Sequence, residues 1–343
     1  MATVTLCMIV KNEEKILDRC LSCLYDLVDE IVIADTGSAD RTKEIAAKYT
    51  DKIYDFQWVD DFAAARNFVF SKATGDYIYS ADADEVLDEV NRERFRLLKE
   101  NILPEIEIVQ MYYCNQLKFG TVYNYDREYR PKLFKRVRTF NWIDPIHETV
   151  RTEPLVFDSD IEIIHEQEES HAKRDLAAFE RLCARGERLS GRLLDLYARE
   201  LFIAGEKDDF LRAEPYFGKM CEEEGRSEEE WKEAFCVAAK AARLRGDVSG
   251  FYKYAMKAAA CGSCAEICLE LAYYYEAAAD DKEAAVWFYN AAFETESILD
   301  IRCGSEKALL GLAGCYRRSG LEEEAQEYER MAAQKREQPE VKP

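Results

Sequence analysis

Between residues 3 and 84, short apolar runs alternate with amphipathic segments, and this alternation restricts the fold more than any other property of the chain. TVTLCMIV at 3–10 and EIVIADTG at 30–37 are nearly continuous in apolar side chains, as strands buried on both faces of a parallel sheet must be. A helix is predicted from about 13 to 27. A second helix at 40–49, a strand at 52–58 (KIYDFQW), a helix at 61–72 and a strand at 76–84 (DYIYSADAD) continue the cycle. Strand–helix alternation of this kind predicts an α/β fold with a mostly parallel, Rossmann-like sheet and right-handed crossovers. In such sheets ligands bind outside the carboxyl ends of the strands, so the polar residues there are the candidates for chemistry.

Several polar groups stand at those ends. Lys11-Asn12-Glu13-Glu14 follows the first strand and Asp35-Thr36-Gly37-Ser38 follows the second. A carboxylate at the second position can accept hydrogen bonds from a nucleobase or a ribose, or it can form a turn before Gly37; the residues alone leave both readings open. Asp60-Asp61-Phe62-Ala63-Ala64-Ala65-Arg66-Asn67 puts Arg66 one turn into an Ala-rich helix, where it either counters a phosphate or is a solvated helical charge. Asp82-Ala83-Asp84 closes an apolar strand. Carboxylates at i and i+2 on a strand end are expected to point to the same side, and hard oxygen ligands of this type suit Mg²⁺ or Mn²⁺ bound mainly through a diphosphate. Residues 130–138 (RPKLFKRVR) hold five basic side chains in nine, either a patch for an anionic ligand or an edge strand protected by charge.

After residue 170 nearly everything reads as helix. Segments beginning near 246, 280 and 320 each follow an Ala- and Tyr-rich helix, which indicates an α-solenoid of paired helices with small residues at the crossings. They resemble tetratricopeptide repeats, with Ala272, Tyr275, Ala284, Phe288 and Ala291 in one unit and Ala313, Tyr316, Gly320, Ala325 and Ala332 in the next.

CMIVKNEE, IVIADTGSADRT, WVDDFAAARN and GDYIYSADADE, in this order and spacing, resemble the inverting glycosyltransferases of family 2, which have the GT-A fold. The likeness covers about residues 1–170. Together with the helical repeats, it is similar to a bacterial subgroup that includes peptide S-glycosyltransferases. The resemblance implies that the backbone near Val10, with Asn12 and Glu13, borders a uridine, that Asp35 contacts the base, and that Arg66 lies near base or phosphates. It further implies that Asp82 contacts ribose or metal, that Asp84 is the main ligand of Mn²⁺ or Mg²⁺, and that His165, at the end of DIEIIHE, is a third ligand. His147-Glu148, after Trp142, matches the family's HE pair. Glu148 would be the base that takes the acceptor proton, Asp144 the second choice, and His147 a residue that positions substrate or leaving group.

Composition narrows the class further. The net charge is −21, shared as −11 over residues 1–190 and −10 over the remainder, so no broad positive face exists for nucleic acid. No window approaches the roughly 20 apolar residues of a membrane span, and a cytoplasmic protein is expected. The twelve cysteines sit mostly in apolar stretches, so the pairs Cys20–Cys23 and Cys261–Cys264 read as packed core in preference to zinc half-sites. A Gly-rich dinucleotide fingerprint and a Walker A loop are both absent. The expected organisation is a GT-A domain over 1–185, a repeat domain over 186–335 and a disordered tail at 336–343. The expected function is metal-dependent, inverting transfer from a nucleotide-sugar, UDP-linked, to a peptide or protein acceptor, with self-association through the repeats left open. The rival readings are a catalytically idle sugar-nucleotide-binding scaffold, a transferase acting on a saccharide or lipid-linked acceptor, and a nucleotidyltransferase. The last of these would carry a Gly-rich basic loop where this chain reads KNEE.

Overall fold

In β1 (Val4–Val10) six of the seven residues are buried, because the strand is covered on both faces. Leu6 and Met8 pack into a core with Leu17, Tyr79 and Phe95, whereas Cys7 packs on the other side with Val32, Ala34, Val69 and Ile78. The computed structural model describes residues 1–114, 128–138, 140–150, 155–165, 172–186 and 188–337. Contacts divide them into two compact units that meet in sequence at 170/171.

The first unit continues with α1 (Leu17–Leu24), β2 (Glu30–Asp35), α2 (Thr42–Ala46), β3 (Ile53–Asp55), α3 (Phe62–Phe70), β4 (Tyr77–Ser80), β5 (Glu85–Val86), α4 (Glu89–Asn101), β6 (Ile108–Cys114), β7 (Glu128–Lys135) and β8 (Val156–His165). Among the described residues the strands form one sheet in the order β3-β2-β1-β4-β7-β6-β8-β5. Four of its seven pairings are parallel, including all those among β1 to β4, and the pairings of β4 with β7, β6 with β7 and β5 with β8 are antiparallel. The mostly parallel α/β sheet expected from the alternation is present, with an antiparallel insertion beyond β4.

Two local expectations are corrected. The strand predicted over 76–84 ends at Ser80, whose partner Cys7 closes the β1 register; Glu85 N–H then donates to the Asp82 carbonyl at 3.2 Å, closing a turn that leads into β5. The basic run at 130–138 is not an edge, since β7 lies between β4 and β6. Nor is it one patch. The register Tyr79↔Leu133 and Tyr77↔Lys135 sets Arg130 and Lys132 toward the carboxyl end of β4, and Lys135, Arg136 and Arg138 toward its opposite end. There Lys135 donates to the Pro104 carbonyl, Arg136 to the Gly75 carbonyl at 2.6 Å, and Arg138 pairs with Glu107 at 2.6 Å.

The second unit is helical: α5 (Ala172–Ala184), α6 (Gly191–Ala204), α7 (Lys207–Met220), α8 (Glu228–Arg245), α9 (Val248–Ala260), α10 (Ala265–Ala277), α11 (Asp281–Tyr289), α12 (Glu306–Arg318) and α13 (Glu322–Glu337). Neighbouring helices pack as successive pairs, and Ala272, Ala284, Phe288, Ala291, Ala313, Ala325 and Ala332 are all buried at the crossings. Gly311 shows why small residues are needed there, since a Cβ at that position would fall on the Phe288 ring. Helix ends are explicit in the sequence: Ser227 and Glu230 form a reciprocal capping box, and Gly246 ends α8 at φ 83°. Helix α5 packs on α6 and α7, so the division falls before it, whereas the sequence reading drew the line at 185/186. Helix α13 runs to Glu337, and the rest of the expected tail lies outside the described residues.

No helix among the described residues is long and apolar enough to cross a membrane. Cys20 is core, its thiol donating to the Asp82 carbonyl at 3.4 Å.

Candidate active site

The carboxyl ends of β1, β2 and β4 lie side by side, with Val10 opposite Asp35 and Cys7 opposite Ser80. The loops leaving them are tied together. Asn12 adopts φ 57°, its Oδ1 accepts from Ala39 N–H at 2.8 Å, and its own N–H donates to Ser38 Oγ at 2.9 Å. Glu13 N–H donates to Thr42 Oγ1 at 2.7 Å. Asp35 is 1% exposed, and its two oxygens stand in different surroundings. Its Oδ1 accepts from Gly37 N–H at 3.0 Å and Ser38 N–H at 2.9 Å, a turn in which Gly37 takes φ 102°. Its Oδ2 is buried without a hydrogen-bond partner among the described residues.

Asp82 and Asp84 were expected to point the same way, but the turn after Ser80 sends them apart. Asp84 is buried, and its Oδ2 lies 2.9 Å from His165 Nε2. The antiparallel pairing of β5 with β8 sets Glu85 opposite His165 and so delivers the imidazole to Asp84 across 81 residues of sequence. Asp84 Oδ1 has no hydrogen-bond partner among the described residues. Next to it Glu85 is fully buried and ion-paired with Lys132; burial pushes its carboxyl up to about 7, with Asp82 and Asp84 adding to the rise and Lys132 opposing it.

Asp82 turns instead to Arg66. Nη2 of Arg66 reaches Asp82 Oδ1 at 2.7 Å, Nε reaches Glu148 Oε1 at 2.5 Å, and Nη1 donates to Ser80 Oγ at 3.0 Å. Partial burial of Asp82, whose side chain is 37% exposed, works against ionisation, yet Arg66 foremost and Lys132 hold its carboxyl well below the usual carboxylate range. Burial likewise disfavours the Arg66 cation, but Asp82 and then Glu148 keep it firmly charged. The guanidinium carbon lies 4.9 Å from the centroid of the Trp142 ring.

Trp142, Asp144, His147 and Glu148 lie on one loop pinched by a bridge between Ile143 and Thr149. Asp144 and His147 both have positive φ, 70° and 47°, a strained conformation for such residues that persists only where surroundings enforce it. Helix α3 supplies that enforcement. Asn67 exchanges two hydrogen bonds with the Trp142 backbone, Nδ2 to the carbonyl at 3.0 Å and N–H to Oδ1 at 2.8 Å, and Phe62 N–H donates to the Pro145 carbonyl at 3.0 Å.

The fold therefore gathers Asp82, Arg66 and Glu148 into one hydrogen-bonded cluster and Asp84 with His165 into a second beside it in sequence. Val10, Asn12, Glu13 and Asp35 border the neighbouring strand ends. Sequence reasoning did not single out Ser80, Asn67 or the Lys132–Glu85 pair. Asn67 left a trace, a polar side chain directly after Arg66 in an otherwise apolar helix, whereas Lys132 with Glu85 is a pairing visible only once β7 is placed. Among the described residues no group of three or more His, Cys, Asp or Glu is arranged to hold a metal ion.

A chain segment 52% identical over 87 residues occurs in the TPR repeat-containing protein Synpcc7942_0270 of Synechococcus elongatus, covering 25% of this chain and 22% of that protein. Another, 35% identical over 92 residues, occurs in the SPbeta prophage-derived glycosyltransferase SunS of Bacillus subtilis, covering 26% and 22%. The alignments thus span about a fifth of the length of these two relatives. A crystal structure of S. aureus TarS 1–349 in complex with UDP-GlcNAc overlays 84% of this chain and 91% of that one at 13% identity, with a TM-score of 0.39. Residues 5–161 match the family model for glycosyl transferase family 2, and the N-terminal unit of the chain is accordingly a glycosyltransferase family 2 domain.

Proposed function

We propose that this chain is an inverting glycosyltransferase that moves a sugar from a nucleotide-sugar, UDP-linked, to a peptide or protein acceptor. The observation that carries the reading is a pair of carboxylate centres: Asp84 beyond the end of β4, with an open Oδ1 beside His165, and Glu148 on the loop at 142–148, held by Arg66. Asp84 and His165 offer a hard oxygen and an imidazole nitrogen, a donor set that fits Mn²⁺ or Mg²⁺ completed by diphosphate oxygens. Neutralisation of the departing diphosphate is the chemistry such an ion supplies when bound.

The chain's own groups do the rest. Asp35 Oδ2 accepts from a nucleobase N–H, while Val10, Asn12 and Glu13 shape the pocket for the base. Glu148 accepts the proton of the acceptor nucleophile as that atom attacks the anomeric carbon opposite the diphosphate, and inversion follows from the single displacement. Asp144 and His147, on the same strained loop, orient the acceptor and the leaving group. The helical unit holds the acceptor, since arrays of paired helices commonly offer extended surfaces for polypeptides. This reading places the enzyme in the cytoplasm.

The test is a panel of UDP- and other nucleotide-sugars, incubated with the protein in MnCl₂ or in EDTA, with released nucleotide as the readout. Release with one donor, dependent on Mn²⁺, is the expected result. Binding of nucleotide-sugar with no release under any condition would favour the idle scaffold instead.

A further inference from the structure

We infer that Arg66 and Asn67 are positioning residues that fix the loop carrying Glu148, and that Arg66 does not serve as a donor-phosphate ligand. The inference rests on Glu148 being the base.

Charge makes the first argument. One guanidinium stands between two carboxylates, Asp82 and Glu148, so the cluster carries net −1 and would repel a diphosphate. Each of the three guanidinium nitrogens already has a protein partner, from Glu148, Ser80 and Asp82, and the residue is only 8% exposed. A planar fork engaged in this way fixes direction as well as distance.

The second argument is the shape of the contact. Phe62 and Arg66 are four residues apart on α3 and face the same way, with Asn67 flanking them. Through these residues α3 grips the loop at Pro145, Glu148 and, twice, Trp142. Two residues of that loop sit at positive φ, a sparsely populated conformation that needs an external hold. A base must lie within hydrogen-bond reach of the proton it takes, and an error of about 1 Å can cost roughly a hundredfold in rate. The grip of α3 supplies that accuracy before an acceptor arrives. Asp82, on this account, anchors Arg66 from the donor side, so donor site and base share one buried cation.

The experiment compares Asn67→Ala, Arg66→Lys, Glu148→Gln and the Arg66→Lys/Glu148→Gln double variant in the full chain. Three quantities are read: affinity for UDP in MnCl₂ by calorimetry, nucleotide release from the donor that the unaltered protein accepts, and amide hydrogen exchange across 140–150. The expected result is turnover reduced about 10- to 100-fold in Asn67→Ala and Arg66→Lys, with UDP affinity within about threefold and faster exchange in 140–150. Arg66→Lys should slow Glu148→Gln no further, because both act through one carboxylate. A tenfold loss of UDP affinity in Arg66→Lys, multiplying effects in the double variant, or unchanged exchange in Asn67→Ala would overturn the inference while leaving the glycosyltransferase reading intact. An unaltered protein that neither binds UDP nor releases nucleotide from any donor would remove the parent reading, and this inference with it.

Discussion

Asp35 shows how much one side chain contributes when its two oxygens are given separate tasks. Oδ1 is committed to Gly37 and Ser38, so an amide in its place would keep its carbonyl toward those N–H groups and turn its NH₂ to where Oδ2 now stands. Asp35→Asn should therefore set a donor against a nucleobase donor, and calorimetry with UDP is expected to show at least about a tenfold loss of affinity. Unchanged affinity would mean that Oδ2 does not face the base. Another buried carboxylate controls stability. Glu200 on α6 is 3% exposed, and burial, with a smaller push from Asp175, raises its carboxyl to about 8 against the opposing Arg174. In the unfolded chain it ionises near 4.3, so between these values the folded state binds more protons and stability falls as pH rises. The favourable contribution is complete below about pH 4 and lost by about pH 8. Glu200→Gln should thus be nearly neutral at pH 4.5 and stabilising by a few kcal/mol at pH 8.5, measured by urea unfolding of the full chain. A gain of equal size at both pH values would refute the assignment.

At the scale of elements, the sequence was legible where one periodicity ran without interruption. The buried strands β1 and β2, the intervening helices and the later Ala-rich helices lie where their apolar spacing puts them, with ends that differ by a few residues. What periodicity did not reveal depends on pairing between distant segments. The turn at 81–84 begins where the β1–β4 register ends at Cys7↔Ser80, although β1 itself runs on to Val10, and the interior position of β7 follows from its pairing with β4 and β6. The repeat pattern also hid an insertion. Between α11 and α12, residues 295–305 form a long connection, and the buried Glu266 carboxylate accepts from the N–H groups of Ile298, Leu299 and Asp300 at 3.1, 2.8 and 3.0 Å. Arg302 then donates to the Ile203 carbonyl at 2.8 Å, linking the connection to the end of α6. Removing that acceptor leaves three backbone donors with no replacement, so Glu266→Ala is expected to cost about 2–4 kcal/mol in urea unfolding. A cost under about 0.5 kcal/mol would show that the connection is held by other means.

For the molecule as a whole, the order of the four motifs was readable because three follow or end parallel strands that the alternation already places and the fourth opens the helix α3 between β3 and β4. The site's internal wiring was not. Nothing in the spacing of Asp82 and Asp84 indicates that one faces Arg66 and the other His165, since that choice is made by β5 pairing with β8 and by the loop at 142–148. The acidity read from composition acquires a local meaning on the proposed reading: a donor diphosphate would meet carboxylates at both centres, so its charge would have to be offset by a cation held at Asp84. The central claim is accordingly metal-dependent sugar transfer at Asp84, and it is tested most directly by nucleotide release in MnCl₂ from the accepted donor, measured for the unaltered chain and for Asp84→Ala. The account predicts release that falls by at least about a hundredfold in Asp84→Ala while unfolding in urea is little changed. Undiminished release by Asp84→Ala would contradict it.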